Sequence, residues 1–290
     1  MQINIIDYRG DDTIINSRGD CTLFQYRTRY YQRMQLDWHR WQAQGHRFVV
    51  FTQHEDDVHQ SADEVIPIPR MRGAEAKNVI LEHMMPVKDE WFGMWDNDAT
   101  LYWNRLRSMN IPQDLVAICD KAKTKGIYAW VPFNPQAAPY QPTELDDYTF
   151  RATIQMKGTM TFMQNPNLYG NQRFNETITT QDDLEWAIQL TAKGFKVGML
   201  QQASLNELVM GKSTIFRVNA YHKQYRKPGP RANPKGLLQW DAQLDRREKY
   251  EIAQRELEAL YGANWRDWQR RQRALWNHEH TQFNQLFDAQ

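Results

Sequence analysis

The chain has 290 residues, 36 of them Lys or Arg and 35 Asp or Glu, with only two cysteines. That length can bury a large core in one α/β domain with an extension, while Cys21 and Cys119 lie too far apart for metal-ligand spacing and make a disulfide framework an unsuitable reading. The start, Met1-Gln2-Ile3-Asn4-Ile5-Ile6-Asp7, lacks the charged and long apolar regions of a signal peptide, and no apolar run approaches a membrane span, so a cytoplasmic protein without membrane attachment is expected.

Thr13-Ile14-Ile15-Asn16 reads as a short buried strand ending at Ser17-Arg18-Gly19-Asp20. Residues 26–44 then suit a helix, with Gly45 as its stop. Arg47–Thr52 is the next strand, Val65–Pro69 a short extended piece, Ala74–Met84 a helix and Trp91–Trp95 a further strand. Strand–helix–strand alternation of this kind predicts an α/β sheet with parallel members. Further on, Gly126–Pro132 is a strand followed by a proline-rich loop, and Tyr148–Phe162 alternates as extended chain does. Asp182–Lys193 reads as a helix with Leu184, Ala187, Ile188 and Thr191 on one face, ended by Gly194. Phe195–Leu200 is a strand, and Leu238–Gln285 is rich in helix formers. No internal repeat or long low-complexity segment interrupts the series.

Chemistry concentrates at a few places. Asp96-Asn97-Asp98 follows the run Glu90-Trp91-Phe92-Gly93-Met94-Trp95. In extended chain, residues i and i+2 project to one side, so Asp96 and Asp98 could offer two hard oxygen ligands to one divalent cation; a turn or a helix cap is the alternative use of such a pair. Ser17 and Arg18 sit in a loop after a strand, with Gly19 permitting close approach of backbone and Arg18 able to neutralise phosphate. Lys77 and Asn78, near a helix start, offer a cation and an amide to a nucleotide, a surface lysine being the plainer reading. Asp182 and Asp183 open the best-patterned helix of the second half, where an acid either caps the helix and meets its dipole or serves as a general base.

Taken in order, a strand ending in Ser-Arg-Gly, an Asp-Asn-Asp after a later strand, and a Gln-Asp-Asp opening a helix with Gly-x-x-Val beyond it resemble the GT-A class of nucleotide-sugar glycosyltransferases. The resemblance spans residues 12–225. It implies a GT-A-like α/β fold, a single Rossmann-type mixed sheet flanked by helices, with a C-terminal helical extension. It also implies Mn²⁺ or Mg²⁺ held by Asp96, Asp98 and His222, and a donor nucleoside-diphosphate sugar met by Ser17, Arg18, Lys77, Asn78, Asp96 and Lys212. Asp183, with Asp182 beside it, becomes the general base of an inverting transfer. The second motif departs from the family pattern, reading Gln-Asp-Asp where Glu-Asp is usual, and no residue is marked as selecting the donor base.

The tail suggests an acceptor. Residues 1–210 carry 21 basic and 26 acidic residues, whereas Gly211–Lys235 carries seven Lys or Arg and no acid. There Lys212, Arg217, Lys223, Arg226, Lys227, Arg231 and Lys235 interleave with Phe216, Tyr221 and Tyr225, the mixture of cations and stacking faces that nucleic-acid grooves use. This charge reversal divides the chain into a catalytic core, 1–210, and a basic and helical extension, 211–290. With a glycosyltransferase core, the whole resembles bacteriophage DNA glycosyltransferases. That resemblance implies double-stranded DNA containing 5-hydroxymethylcytosine as acceptor and Lys223, Arg226, Lys227 and Arg231 as DNA contacts. Two rivals stand beside it: transfer to a polysaccharide or protein, and a noncatalytic nucleic-acid-binding module. Pro228, Pro230 and Pro234 break the basic stretch and speak against an amphipathic membrane helix.

Overall fold

A computed structural model describes residues 1–7, 38–53, 59–69, 71–96, 99–103, 111–133, 150–153, 160–168, 170–178, 181–207 and 246–287. These form one mixed sheet of nine strands with helices on both faces. The strands are β1 (Gln2–Asp7), β2 (Arg47–Thr52), β3 (Glu64–Pro67), β4 (Trp91–Asp96), β5 (Ala99–Trp103), β6 (Ile127–Phe133), β7 (Phe150–Ala152), β8 (Met160–Gln164) and β9 (Lys196–Glu207). The helices are α1 (Gly73–Met84), α2 (Ile111–Thr124), α3 (Asp182–Ala192), α4 (Arg246–Tyr261) and α5 (Trp265–Phe287). Residues 38–42 are also helical.

The strand order is β3-β2-β1-β4-β8-β6-β9-β5, with β7 paired along the early part of β9. β1 runs parallel to β2 and β4, β2 to β3, and β6 to β9. β8 lies antiparallel between β4 and β6, and β5 antiparallel on the distal part of β9. The expected single mixed α/β sheet flanked by helices is therefore present. Its first strand, however, is Gln2–Asp7, a segment read from sequence only as an unsuitable leader; the expected strand at 13–16 lies outside the described residues.

Alternation along the central strands builds two cores. Ile3, Ile5, Phe48, Val50, Trp91 and Trp95 face one side with Trp38, Trp41 and the α2 residues Leu115, Ile118, Cys119 and Ala122. Ile6, Val49, Phe51, Phe92 and Met94 face the other, under Ile80, Leu81 and Met84 of α1 and Trp186, Ala187 and Leu190 of α3. Both surfaces of these strands are covered, which explains their near-continuous apolar runs. Cys119 is buried and free, and burial pushes its thiol pKa up, so it behaves as a packing residue.

Two details fix the limits of α3. After β8, residues 165–168 and 170–178 pass along α1: Asn165 donates to the carbonyls of Met84 and Val87 at 2.9 and 3.0 Å, and Arg173 donates to that of Asn78 at 3.0 Å. This strap returns the chain to the edge where the parallel strands end, and α3 starts there. Beyond α3, Gly194 has φ +85°, a left-handed conformation that ends the helix without a side-chain penalty. The C-terminal helices pack on the core: Leu257 and Trp265 join Ile188 of α3 in a third apolar cluster. No helix among the described residues is long and apolar enough to cross a membrane.

Candidate active site

The chain passes from β1 outward to β2 and β3, then returns to β4 on the other side of β1. Such a reversal opens a crevice at the carboxyl ends of the two inner strands, the usual ligand position in open α/β sheets. Here those ends are Asp7 of β1 and Asp96 of β4, with Ile6 in register with Asp96.

Trp95 anchors the end of β4. Its indole is buried and meets Trp41, Phe48 and Phe162 edge-on, with ring centroids 5.2, 5.7 and 5.8 Å apart. Trp95 thus points into the core beneath α2, and alternation places Asp96 on the opposite face, with α1 and α3. Asp96 is only partly buried. Its carboxylate is a hard oxygen donor at the mouth of the crevice. Among the described residues no three His, Cys, Asp or Glu side chains gather as a metal site. Asp98 and His222, the implied co-ligands, lie outside the described residues, as do Ser17, Arg18, Lys212, Lys223, Arg226, Lys227 and Arg231.

On the face that carries α1 and α3, the structure brings together three of the expected residues. Lys77 Nζ donates to Asp182 Oδ2 at 2.7 Å and also to Asp183 Oδ1. The Lys77 side chain is 5% exposed, those of Asp182 and Asp183 20% and 25%, so the cation is enclosed while both carboxylates keep access to solvent. Lys77 also lies over the Phe174 ring, 5.3 Å from its centroid, and Phe174 stacks on Trp186 at 4.7 Å. Helix capping is not what holds the acids. Gln181 occupies the cap position with φ +58°, and Asp182 and Asp183 lie inside the first turn. Their negative charges still meet the positive end of the α3 dipole. A left-handed glutamine costs on the order of 1–3 kcal/mol, a strain that concentrates at functional sites.

Asn78, expected to offer its amide to a nucleotide, bonds the strap. Its amide donates to the Phe174 carbonyl at 3.0 Å and to Glu176 Oε1 at 2.8 Å, and its Oδ1 accepts from the Phe174 N–H at 2.8 Å. Asn78 therefore pins the strap that brings Phe174 under Lys77.

Two polar contacts were not anticipated. Asp7 Oδ2 accepts from the Thr52 hydroxyl at 2.9 Å and lies 2.8 Å from His59 Nε2, all three groups being buried at the carboxyl ends of β1 and β2. Glu185 Oε1 accepts from the Tyr261 hydroxyl at 2.5 Å, tying α3 to α4. Burial raises the Glu185 pKa most, with the Tyr261 hydroxyl and Asn175 opposing it. Burial and the neighbouring carboxylate likewise raise that of Tyr261, which stays a neutral donor. One signal for the Lys77 cluster was in the sequence: residue 77 lies on the stripe of Ile80, Leu81 and Met84, where a lysine must be paired or bent outward.

No protein-family model matches the chain, and no curated protein does. Among solved structures, the chain is similar to S. aureus TarS 1–349 in complex with UDP-GlcNAc, with 9% identity and TM-score 0.44 over 70% of this chain and 57% of that one. It is also similar to the mannosyltransferase PcManGT of Pyrobaculum calidifontis in complex with GDP-Man and Mn²⁺ (14% identity, TM-score 0.42, 95% of this chain, 86% of that one). A UDP-glucose pyrophosphorylase complexed with UDP-glucose gives 10% identity and TM-score 0.40 over 77% and 98%. At these values the likeness carries neither an activity nor a residue role.

Proposed function

We propose that this chain is a metal-dependent glycosyltransferase that moves a sugar from a nucleoside-diphosphate sugar to a hydroxyl acceptor. The observation that carries the reading is the shared edge: Asp96 leaves the sheet at the β1/β4 crevice, on the face where Asp182 and Asp183 open α3. One acidic centre for the leaving group and one for the incoming hydroxyl is what such a displacement needs.

In the inverting reaction, Asp183 takes the proton of the acceptor hydroxyl as its oxygen bonds to the anomeric carbon. The bond from that carbon to the phosphate oxygen breaks, and its electron pair leaves with the nucleoside diphosphate. Asp96, Asp98 and His222 would hold the divalent cation, which when bound offsets the charge on that leaving group. Ser17, Arg18 and Lys212 are assigned to the donor. Lys77 is committed to the acid pair and so supports the acceptor side.

The acceptor we assign is double-stranded DNA carrying 5-hydroxymethylcytosine, supported by the acid-free, aromatic-bearing stretch from Gly211 to Lys235. Lys223, Arg226, Lys227 and Arg231 would meet phosphates there, in a division of labour between a 1–210 core and a 211–290 extension. The test is mass spectrometry of nucleosides from such DNA after incubation with the protein, Mn²⁺ and a panel of nucleotide sugars. A sugar mass increment abolished by EDTA is the expected result. Nucleoside diphosphate release without the increment would keep the transferase and remove this acceptor in favour of a glycan or protein. Silence in both, with DNA binding retained, would leave a noncatalytic binding module.

A further inference from the structure

Lys77 invites a sharper question, because a lysine this enclosed must be held for a reason. We propose that Lys77 is a positioning residue of the transfer step, fixing the orientation and charge of Asp183, with Asp182 as the counter-ion that retains Lys77 through turnover. The inference rests on the reading of Asp183 as the base.

Three elements converge to hold the ammonium. α1 carries Lys77, the strap puts the Phe174 ring beneath it, and α3 presents both carboxylates. The strap itself is fixed by the neighbouring Asn78, which donates to and accepts from Phe174. Movement of Lys77 toward a diphosphate would break two charge-assisted hydrogen bonds and strand two carboxylates side by side.

The charge arithmetic favours two acids rather than one. Once Asp183 has taken the acceptor proton, its carboxyl is neutral, and a lysine paired to it alone would be left enclosed without a counter-charge. Asp182 keeps Lys77 paired in both states of Asp183. The other charged groups around this end of α3 are differently engaged. Glu185 turns inward to Tyr261, Arg72 bonds Glu75 and the Glu176 carbonyl, and Glu176 accepts from Asn78. Among the described residues, Lys77 is thus a cation bonded directly to both acids.

The test is the pH dependence of kcat/KM for whichever nucleotide sugar the protein turns over, comparing wild type with Lys77→Met, Lys77→Arg, Asp182→Asn and Asp183→Asn. Removal of the ammonium should move the acid limb to higher pH by about one unit, since an adjacent cation favours the carboxylate. Lys77→Arg should restore it, and donor KM should hold in both. Asp182→Asn should move the limb the opposite way, because it removes a competing negative charge. That opposite shift keeps the test decisive if Lys77→Met fails to fold by circular dichroism. A limb unmoved in both Lys77→Met and Asp182→Asn, or a raised donor KM with an unmoved limb, would overturn the inference and return Lys77 to the donor. Asp183→Asn separates the two levels: full activity there removes the base itself, whereas loss of activity with unmoved limbs removes only the role of Lys77.

Discussion

Two carboxylate clusters stand near the carboxyl edge of the parallel strands, and their difference lies in access. Asp7 is wholly buried, with Thr52 and His59 as hydrogen-bond partners, on strands that alternation assigns to the α2 side. Asp182 and Asp183 are partly open, on the α1 and α3 side, and share an enclosed cation. A carboxylate sealed among donors is a structural tie whose loss leaves those donors unsatisfied. A carboxylate held in place but open to solvent can exchange a proton with a substrate. Charge and position near a ligand crevice are alike in the two clusters; solvent access separates them.

Substitutions can break that contrast. The largest effect expected is on catalysis: Asp183→Asn should lower kcat on the order of 10²–10⁴-fold while nucleoside diphosphate still binds, as read by turnover beside calorimetric titration. Asp7→Ala should act on stability instead, costing about 3 kcal/mol in denaturant unfolding, because Thr52 and His59 lose a buried acceptor. Equal stability loss in the two variants would erase the distinction. Gly93→Ala probes the strand between them: a Cβ there would meet Ile3 Cδ1 at 2.8 Å, so a loss of about 1–3 kcal/mol is expected on melting.

The smallest effects belong to the α3–α4 tie. Tyr261→Phe removes the hydroxyl that Glu185 accepts, and should cost about 1–2 kcal/mol. Glu185 also gives a signed pH dependence. Its folded pKa is raised from 4.5, chiefly by burial, so the folded state binds the extra proton. Its contribution is complete below that value and is lost as pH rises through the folded pKa. Glu185→Gln should therefore gain stability relative to wild type as pH climbs from 4 to 7, measured by melting temperature.

The sequence was most legible where local chemistry and tertiary packing agree. The strand at 47–52 and the helix at 74–84 match within a residue, and Gly45 and Gly194 both adopt the positive φ that a helix stop requires. α3 was readable from its periodicity, with Asp182 at its first residue. β1 is harder to read, since Gln2–Asp7 lies at the start of the chain and its apolar character belongs to a strand covered on both faces. α2 shows in the sequence only as the helical stripe of Leu115, Ile118, Cys119 and Ala122. The pairing of Lys77 with the two acids is the least legible. Lys77 and Asp182 are 105 positions apart, and only the strap between β8 and α3 brings them together. Position 77 could flag itself as a charge in an apolar stripe, but not name its partner. The role of the tail was open in the sequence; in the structure α4 and α5 pack against α3, while the basic stretch lies outside the described residues.

The most direct measurement of the central claim is nucleoside diphosphate release from a panel of nucleotide sugars, by wild type and Asp183→Asn, with Mn²⁺ and with EDTA. Release by wild type that needs Mn²⁺ and falls at least 10²-fold in Asp183→Asn is the predicted result. Release that survives EDTA and Asp183→Asn alike, or none from any donor, would contradict metal-dependent sugar transfer at this edge of the sheet.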